Sequence, residues 1–385
     1  MTRTRRKTIV VSINAAWNIY NFRMGLVRAL QAAGFRVVAV APADEYVGKL
    51  LQAGVEFVPI AMDRKGLSPA ADAALMLRYW RVLGRLKPDV FLGYTAKPNI
   101  YGSIAARLRG ARVINNVSGL GTAFIRRSWL TILVSRLYRL AFRRSATIFF
   151  QNNEDRDLFV ESGLVRPDQA RLLPGSGVDL ERFAACPLPP SRPDTATFLL
   201  VGRMLRDKGV LEFVEAARAV RKAYPGARFQ LLGFLDAENR TSIAAAELEA
   251  WLEEGAIEYL GAADDVRPFI AAADCVVLPS YREGLPRSLL EAAAMGRPLI
   301  ASDVPGCRDV VRHEVNGLLC TVKDAGSLAA AMERMVLASP AQRAQWGAAG
   351  RSMVEAGFSE EVVVRRYLDA IAQAIPRDGN REDPG

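Results

Sequence analysis

The sequence predicts an α/β protein made of two doubly wound halves. Three observations carry that prediction. At 385 residues the chain exceeds the size at which a single core stops growing. Short β-branched runs alternate with segments of helical period along most of its length. A proline-rich break near the middle interrupts the alternation, after which the pattern restarts.

In the first half the expected strands are Thr8–Ile13, Phe35–Ala41, Glu56–Ala61, Val90–Tyr94, Ala111–Val117, Ala146–Gln151 and Arg171–Pro174. Most are continuously apolar, as a parallel sheet covered on both faces requires. Helical periods such as Phe22–Ala33 and Asp72–Leu86 lie between them, which is the signature of a doubly wound domain. The run from Cys186 to Pro193 carries four prolines in eight residues and marks a linker. Strands then recur at Thr197–Gly202, Arg228–Gly233, Ile257–Leu260, Cys275–Pro279, Leu299–Ser302 and Gly317–Thr321. Two such halves place a ligand cleft at the strand C-terminal ends. The last periodic segment, Glu360–Ala374, is an amphipathic helix, and the polar tail from Pro376 reads as disordered.

Composition excludes several classes. The net charge is +10, but it is unevenly spread. Residues 1–185 hold 28 Lys/Arg against 13 Asp/Glu, whereas residues 186–385 hold 23 against 28. From Val90 to Asn153 there are ten basic residues and no acid, a one-signed field that recruits anionic partners. Nucleic acid lacks a supporting motif, which leaves lipid headgroups and pyrophosphate-bearing substrates. The cysteines Cys186, Cys275, Cys307 and Cys320 have no metal-ligand spacing, and the one histidine, His313, sits in a turn-like segment. No metal site is expected. No apolar window reaches the ~18 residues needed to span a bilayer, and Ile9–Ile13 is too short for a signal peptide.

The chemistry concentrates in two stretches of the second half. Gly202-Arg203-Met204-Leu205-Arg206-Asp207-Lys208-Gly209 ends a strand and opens a helix. Cations near a helix start oppose its dipole, so Arg203 and Lys208 call for an anion, and a diphosphate fits them. The second stretch holds Glu283 and Glu291, eight positions apart, with Gly284, Leu285 and Pro286 between them. Pro286 is expected as the first helical residue, with amides at Leu285, Arg287 and Ser288 facing a phosphate. Glu283 in the loop is suited to sugar hydroxyls and Glu291 on the helix to ribose hydroxyls. The plain alternatives are solvated cations and acids that merely complement a helix dipole. Two carboxylates and two cations together suit a nucleotide sugar. Asp155-Arg156-Asp157, a lone acid pair after Gln151-Asn152-Asn153, reads as helix-capping acids rather than a metal motif.

Gly202-Arg203-x4-Lys208-Gly209, Glu283-x7-Glu291 and Gly296-x-Pro298 together resemble the retaining glycosyltransferases of family 4. Ser302–Gly306 and Asn316–Leu319 resemble two further stretches of that family. The resemblance is dense over the second half and looser over the first. It implies a GT-B fold, with two facing Rossmann-like domains and a final helix that crosses back to the N-terminal one. The implied domains are 1–185 plus 359–375 on the acceptor and membrane side, and 194–358 for the nucleotide-sugar donor. Residues 186–193 form the linker and 376–385 the tail. The resemblance makes Arg203, Lys208 and Glu283 the catalytic set, with Gly202, Gly284, Leu285, Pro286 and Glu291 as further donor contacts. It implies no cofactor and no required metal.

Tyr94-Thr95-Ala96-Lys97-Pro98-Asn99 stands where many family members carry a histidine. With that histidine missing, Thr95 and Lys97 join Asn14, Trp17 and Asn18 as acceptor-side candidates, though Thr95 and Lys97 could equally be structural residues. Thr95–Gly102, Asn115–Phe124, and Asn14, Trp17, Asn18 and Arg23 resemble a subgroup that extends sugars on undecaprenyl diphosphate in bacteria. That subgroup implies a UDP-linked N-acetylhexosamine donor, a polyprenyl-diphosphate saccharide acceptor, and work at the cytoplasmic face of the membrane. Ser128–Arg144 interleaves apolar residues with Arg136, Arg139, Arg143 and Arg144, preceded by Arg126 and Arg127. With Trp129 these arginines are candidates for contact with an anionic bilayer. A core helix with arginines facing water is the alternative. A nucleotide-sugar epimerase and a non-catalytic nucleotide-sugar-binding module also remain open.

Overall fold

The computed structural model describes residues 6–63, 68–119, 129–190, 194–236, 239 and 241–375, without the side chains of residues 129–131. The tail 376–385, linker residues 191–193, Arg126, Arg127 and residues 120–124 lie outside this description, as does the side chain of Trp129. The chain divides into two compact units, Met1–Ser176 with Glu360–Gly385, and Gly177–Ser359.

The first unit holds a parallel sheet of β1 (Thr8–Ser12), β2 (Arg36–Ala41), β3 (Glu56–Pro59), β4 (Val90–Tyr94), β5 (Arg112–Val117), β6 (Thr147–Phe150) and β7 (Ala170–Leu172). Their order is β3-β2-β1-β4-β5-β6-β7. The sheet is buried on both faces. Val11 and Leu92 face one core, with Tyr367 and Ile371 of the final helix, while Val10 and Phe91 face another, with Tyr79 and Leu83. Each such side chain contributes about 1.5–3 kcal/mol by leaving water. That is why these strands lack polar alternation. The helix Glu360–Ala374 packs within this unit, where Asn116 donates to the Tyr367 hydroxyl at 3.0 Å and Arg366 to the Leu172 carbonyl at 2.7 Å.

The second unit holds β8 (Thr197–Val201), β9 (Arg228–Leu232), β10 (Glu258–Tyr259), β11 (Cys275–Leu278), β12 (Leu299–Ser302) and β13 (Gly317–Cys320). All described pairings are again parallel, in the order β10-β9-β8-β11-β12-β13. Phe198 and Leu200 face one core, and Leu199, Val276 and Leu289 the other. Both sheets are doubly wound, as a GT-B architecture requires.

Two local expectations are corrected. The helix expected over Phe22–Ala33 runs Met24–Ala32, and a short helix that was not expected, Ala16–Phe22, precedes it across a break at Arg23. Arg23 turns inward, only 6% exposed, and stacks its guanidinium 4.5 Å from the Tyr94 ring centroid. The start of the expected linker belongs to the second unit. Arg297, fully buried, donates to the carbonyls of Cys186 at 2.5 Å and Pro187 at 2.6 Å, so this segment is pinned to the unit's interior. The passage between units instead falls at Ser176–Gly177, beside Gly175 (φ +59°) and Gly177 (φ +71°).

Candidate active site

In the second sheet the strand order reverses between β8 and β11, and ligands of open α/β sheets bind outside the strand C-termini at such a point. The loops that follow these two strands, and the helix Arg287–Ala294 after the second, carry all the expected donor residues. Gly202 follows β8, and the space beside its Cα is open. The close backbone approach lies opposite, at Gly233 (φ +149°), where a Cβ would stand 1.8 Å from the Gly202 oxygen.

The two loops are stitched together. Gly209 (φ +73°) closes a 3₁₀ turn Arg206–Lys208, and a Cβ there would meet the Pro279 carbonyl at 2.1 Å. The Tyr281 amide donates to the Asp207 carbonyl at 2.9 Å. Lys208 and Glu283 form an ion pair, and Ser280 Oγ donates to the same Glu283 Oε1 at 2.6 Å. Glu283 and Gly284 rest on Gly306, where a Cβ would lie 2.6 Å from either carbonyl. The sequence motif Ser302–Gly306 therefore supports the Glu283 loop from below. Arg203 is partly exposed and donates to Asp236 at 3.2 Å.

Pro286 is the N-cap (ψ 113°) rather than the first helical residue, and the helix runs Arg287–Ala294. Glu291 therefore stands a single turn in, one turn beyond Arg287 and facing it. Arg287 Nε donates to Glu291 Oε1 at 2.6 Å. Glu291 is 9% exposed, and this burial raises its pKa, with Arg287 and Arg182 opposing the shift and Asp265 adding to it. The expected ribose acceptor is half of a buried ion pair. The structure brings Lys208 and Glu283 into contact, whereas Arg203 and Glu291 take partners of their own.

In the first sheet the order reverses between β1 and β4. Asn14, Trp17 and Asn18 follow β1, and Thr95 and Lys97 follow β4. Asn18 donates to Asn14 Oδ1 at 2.9 Å, and Trp17, 37% exposed, anchors its amide on Asp44 at 3.0 Å. Thr95 takes a left-handed φ of +60°, and its carbonyl accepts from Asn99 at 3.0 Å. Asn99 then donates to the Asn116 carbonyl and accepts from Asn115, a buried network. Lys97 is tied up in an ion pair, as the structural alternative for it would have it. Its ammonium lies 2.9 Å from Asp72 in a nearly buried pair.

The helix Trp129–Phe142 buries Val134, Tyr138 and Ala141. Ile132, Leu133 and Leu140 are exposed, as are Arg136 and Arg143. Arg139 spends its guanidinium on the carbonyls of Ser162 and Gly163. Asp155 lies in the first turn of Asn153–Glu161, but the cap is Asn152, which accepts from the Asp155 amide at 2.8 Å. His313 is a surface residue whose Nδ1 accepts from the Leu319 amide. Among the described residues, no cluster of three or more His, Cys, Asp or Glu could hold a metal, and no helix is long and apolar enough to cross a membrane.

Sequence reasoning missed Arg287, Asp72, Asp236 and Ser280. Only Arg287 carried a local signal, its four-residue spacing from Glu291 on one helix face.

Two family models match this chain: the glycosyl transferase 4-like domain over residues 21–176 and glycosyl transferases group 1 over residues 195–337. The chain belongs to this glycosyltransferase family. The transferase is 28% identical over 380 residues to the N,N'-diacetylbacillosaminyl-diphospho-undecaprenol alpha-1,3-N-acetylgalactosaminyltransferase of Campylobacter jejuni, covering 94% of this chain and 97% of that one. It is 27% identical over 290 residues to the Escherichia coli UDP-Gal:alpha-D-GlcNAc-diphosphoundecaprenol alpha-1,3-galactosyltransferase, covering 72% and 74%. Among solved structures, it resembles a glycosyltransferase from Rickettsia africae (TM-score 0.75, 16% identity, 97% and 100% covered). It also resembles Anabaena HepE in complex with UDP (TM-score 0.76, 16% identity, 95% and 99% covered). These structures share the transferase's GT-B fold.

Proposed function

We propose that this glycosyltransferase moves a sugar, an N-acetylhexosamine, from a UDP-sugar to a saccharide carried on polyprenyl diphosphate, with retention of anomeric configuration. The observation that carries the reading is the Lys208–Glu283 pair at the β8/β11 reversal, with Arg203 on the loop after β8 and Glu291 on the helix after the β11 loop. The names of the Campylobacter jejuni and Escherichia coli relatives support the acceptor class.

In this reading Lys208 and Arg203 face the donor diphosphate, Glu283 the transferred sugar, and Glu291 the ribose. Gly284, Leu285 and Pro286 line the path of the phosphates. The bond from the anomeric carbon to the phosphate oxygen breaks, and the bond to the acceptor oxygen forms on the same face. The acceptor proton passes to the departing phosphate oxygen. Preorganised cations stabilise the charge that develops there, a contribution worth roughly a hundredfold to a thousandfold in rate for a single good donor. No protein nucleophile and no metal are invoked.

The acceptor's lipid places the reaction at a membrane surface. The stripe of Ile132, Leu133, Arg136, Leu140 and Arg143, within a long stretch free of acids, supports docking of the first unit on anionic lipid at the cytoplasmic face. A panel of nucleotide sugars read by nucleotide release, with a short polyprenyl-diphosphate saccharide as acceptor, tests the reading. Release from one UDP-sugar that depends on the acceptor is the expected result. Release that ignores the acceptor refutes it.

A further inference from the structure

Glu291 can grip two hydroxyls only as a carboxylate, because the protonated acid turns one acceptor oxygen into a donor. Its burial works against that state. Three charged groups bear on it. Arg287, on its own helix, donates to Oε1 at 2.6 Å. Arg182, from the segment that follows the passage between units, adds positive charge, and Asp265 adds negative charge. Asp265 is itself kept ionised by a two-pronged contact with Arg267, at 2.8 and 2.7 Å, which lowers its pKa to about 2. Arg267 also donates to the Arg182 carbonyl at 3.2 Å, fixing that segment. Among the described residues, Arg287 is the charged group that touches Glu291, in a near-buried pair with side-chain exposures of 21% and 11%.

We propose that Arg287 is a positioning residue of the donor site: its guanidinium holds the Glu291 carboxylate ionised and aimed, so that it meets the nucleotide ribose as a double acceptor. This rests on the reading of Glu291 as the ribose contact. A raised carboxyl pKa means that the charged form is lost as pH falls through that pKa. Removing Arg287 moves the loss to higher pH, so nucleotide recognition fails in a range where the parent protein still binds.

The test is calorimetric binding of UDP and 2′-deoxy-UDP to the full chain, from about pH 6 to about pH 9. The parent protein is compared with Arg287→Gln, Arg287→Lys, Glu291→Gln and Arg182→Gln. The parent prefers UDP by about tenfold, the loss expected for one unmade charged hydrogen bond. Arg287→Gln loses this preference at the acid end and recovers it at the alkaline end, and Arg287→Lys keeps it throughout. Glu291→Gln lacks it at every pH. Arg182→Gln, an exposed position, shifts the profile the same way but less. A parental pH profile in Arg287→Gln and Arg182→Gln, or a weakness in Arg287→Gln that no pH relieves, overturns the role of Arg287. No UDP preference in the parent protein, with Glu291→Gln unchanged, refutes the ribose reading beneath it.

Discussion

Lys208 and Glu283, 75 positions apart in the chain, form an ion pair across the loops that follow the adjacent strands β8 and β11. Each side chain is also held by contacts around its loop. Ser280 fixes Glu283, and Gly209 presses the Lys208 turn against Pro279. In the proposed reading, the pair couples the cation that meets the leaving diphosphate to the carboxylate that meets the sugar.

Glu283→Gln should lower kcat by about a hundredfold or more with a small change in Tm, since the amide keeps the shape but loses the charge. A double-mutant cycle with Lys208→Met, read as kcat/KM, should give a coupling energy of about 1 kcal/mol or more. Additive losses would show that the two residues act separately.

Gly209→Ala and Gly306→Ala should each destabilise the second unit. Both glycines have left-handed φ (+73° and +81°), and a methyl group would strike backbone carbonyls at 2.1 and 2.6 Å. The loss should exceed about 1 kcal/mol, measured by urea unfolding, because backbone cannot move aside as a flexible side chain can. Gly202→Ala, with open space beside it, should leave stability nearly unchanged and alter donor KM instead.

Lys97→Met should unfold the first unit more easily, by about 3–5 kcal/mol, since it leaves the Asp72 carboxylate buried without its cation. Wild-type stability in that variant, with a raised acceptor KM, would return Lys97 to the acceptor-contact role that its position after β4 first suggested.

How far the sequence disclosed this molecule follows from the range of each interaction. The strands were legible because a parallel sheet covered on both faces demands continuous apolar runs, and Val10, Val11, Phe91 and Leu92 supply them. Arg203, Lys208, Glu283 and Glu291 were legible as charges at strand and helix ends. Their partners were less so. Asp236 and Asp72 come from distant chain and nothing local announces them, while Ser280 shares a loop with Glu283 but carries no charge to mark it. The inward turn of Arg23 was not legible either, because its guanidinium packs on an aromatic ring 71 positions away.

Ile132→Ser with Leu140→Ser should weaken flotation on vesicles containing anionic lipid, and Arg136→Gln with Arg143→Gln should flatten its salt dependence. Turnover of a short-chain soluble acceptor should be unchanged in both. Flotation of the parent protein that is absent at low salt would remove the membrane surface from the account.

The most direct test of the central claim is product analysis with an α-linked UDP-N-acetylhexosamine and a short polyprenyl-diphosphate saccharide. The account predicts stoichiometric UDP release and a lengthened saccharide with an α linkage, both lost in Glu283→Gln. A β-linked product, an epimerised donor without transfer, or undiminished turnover in Glu283→Gln would contradict it.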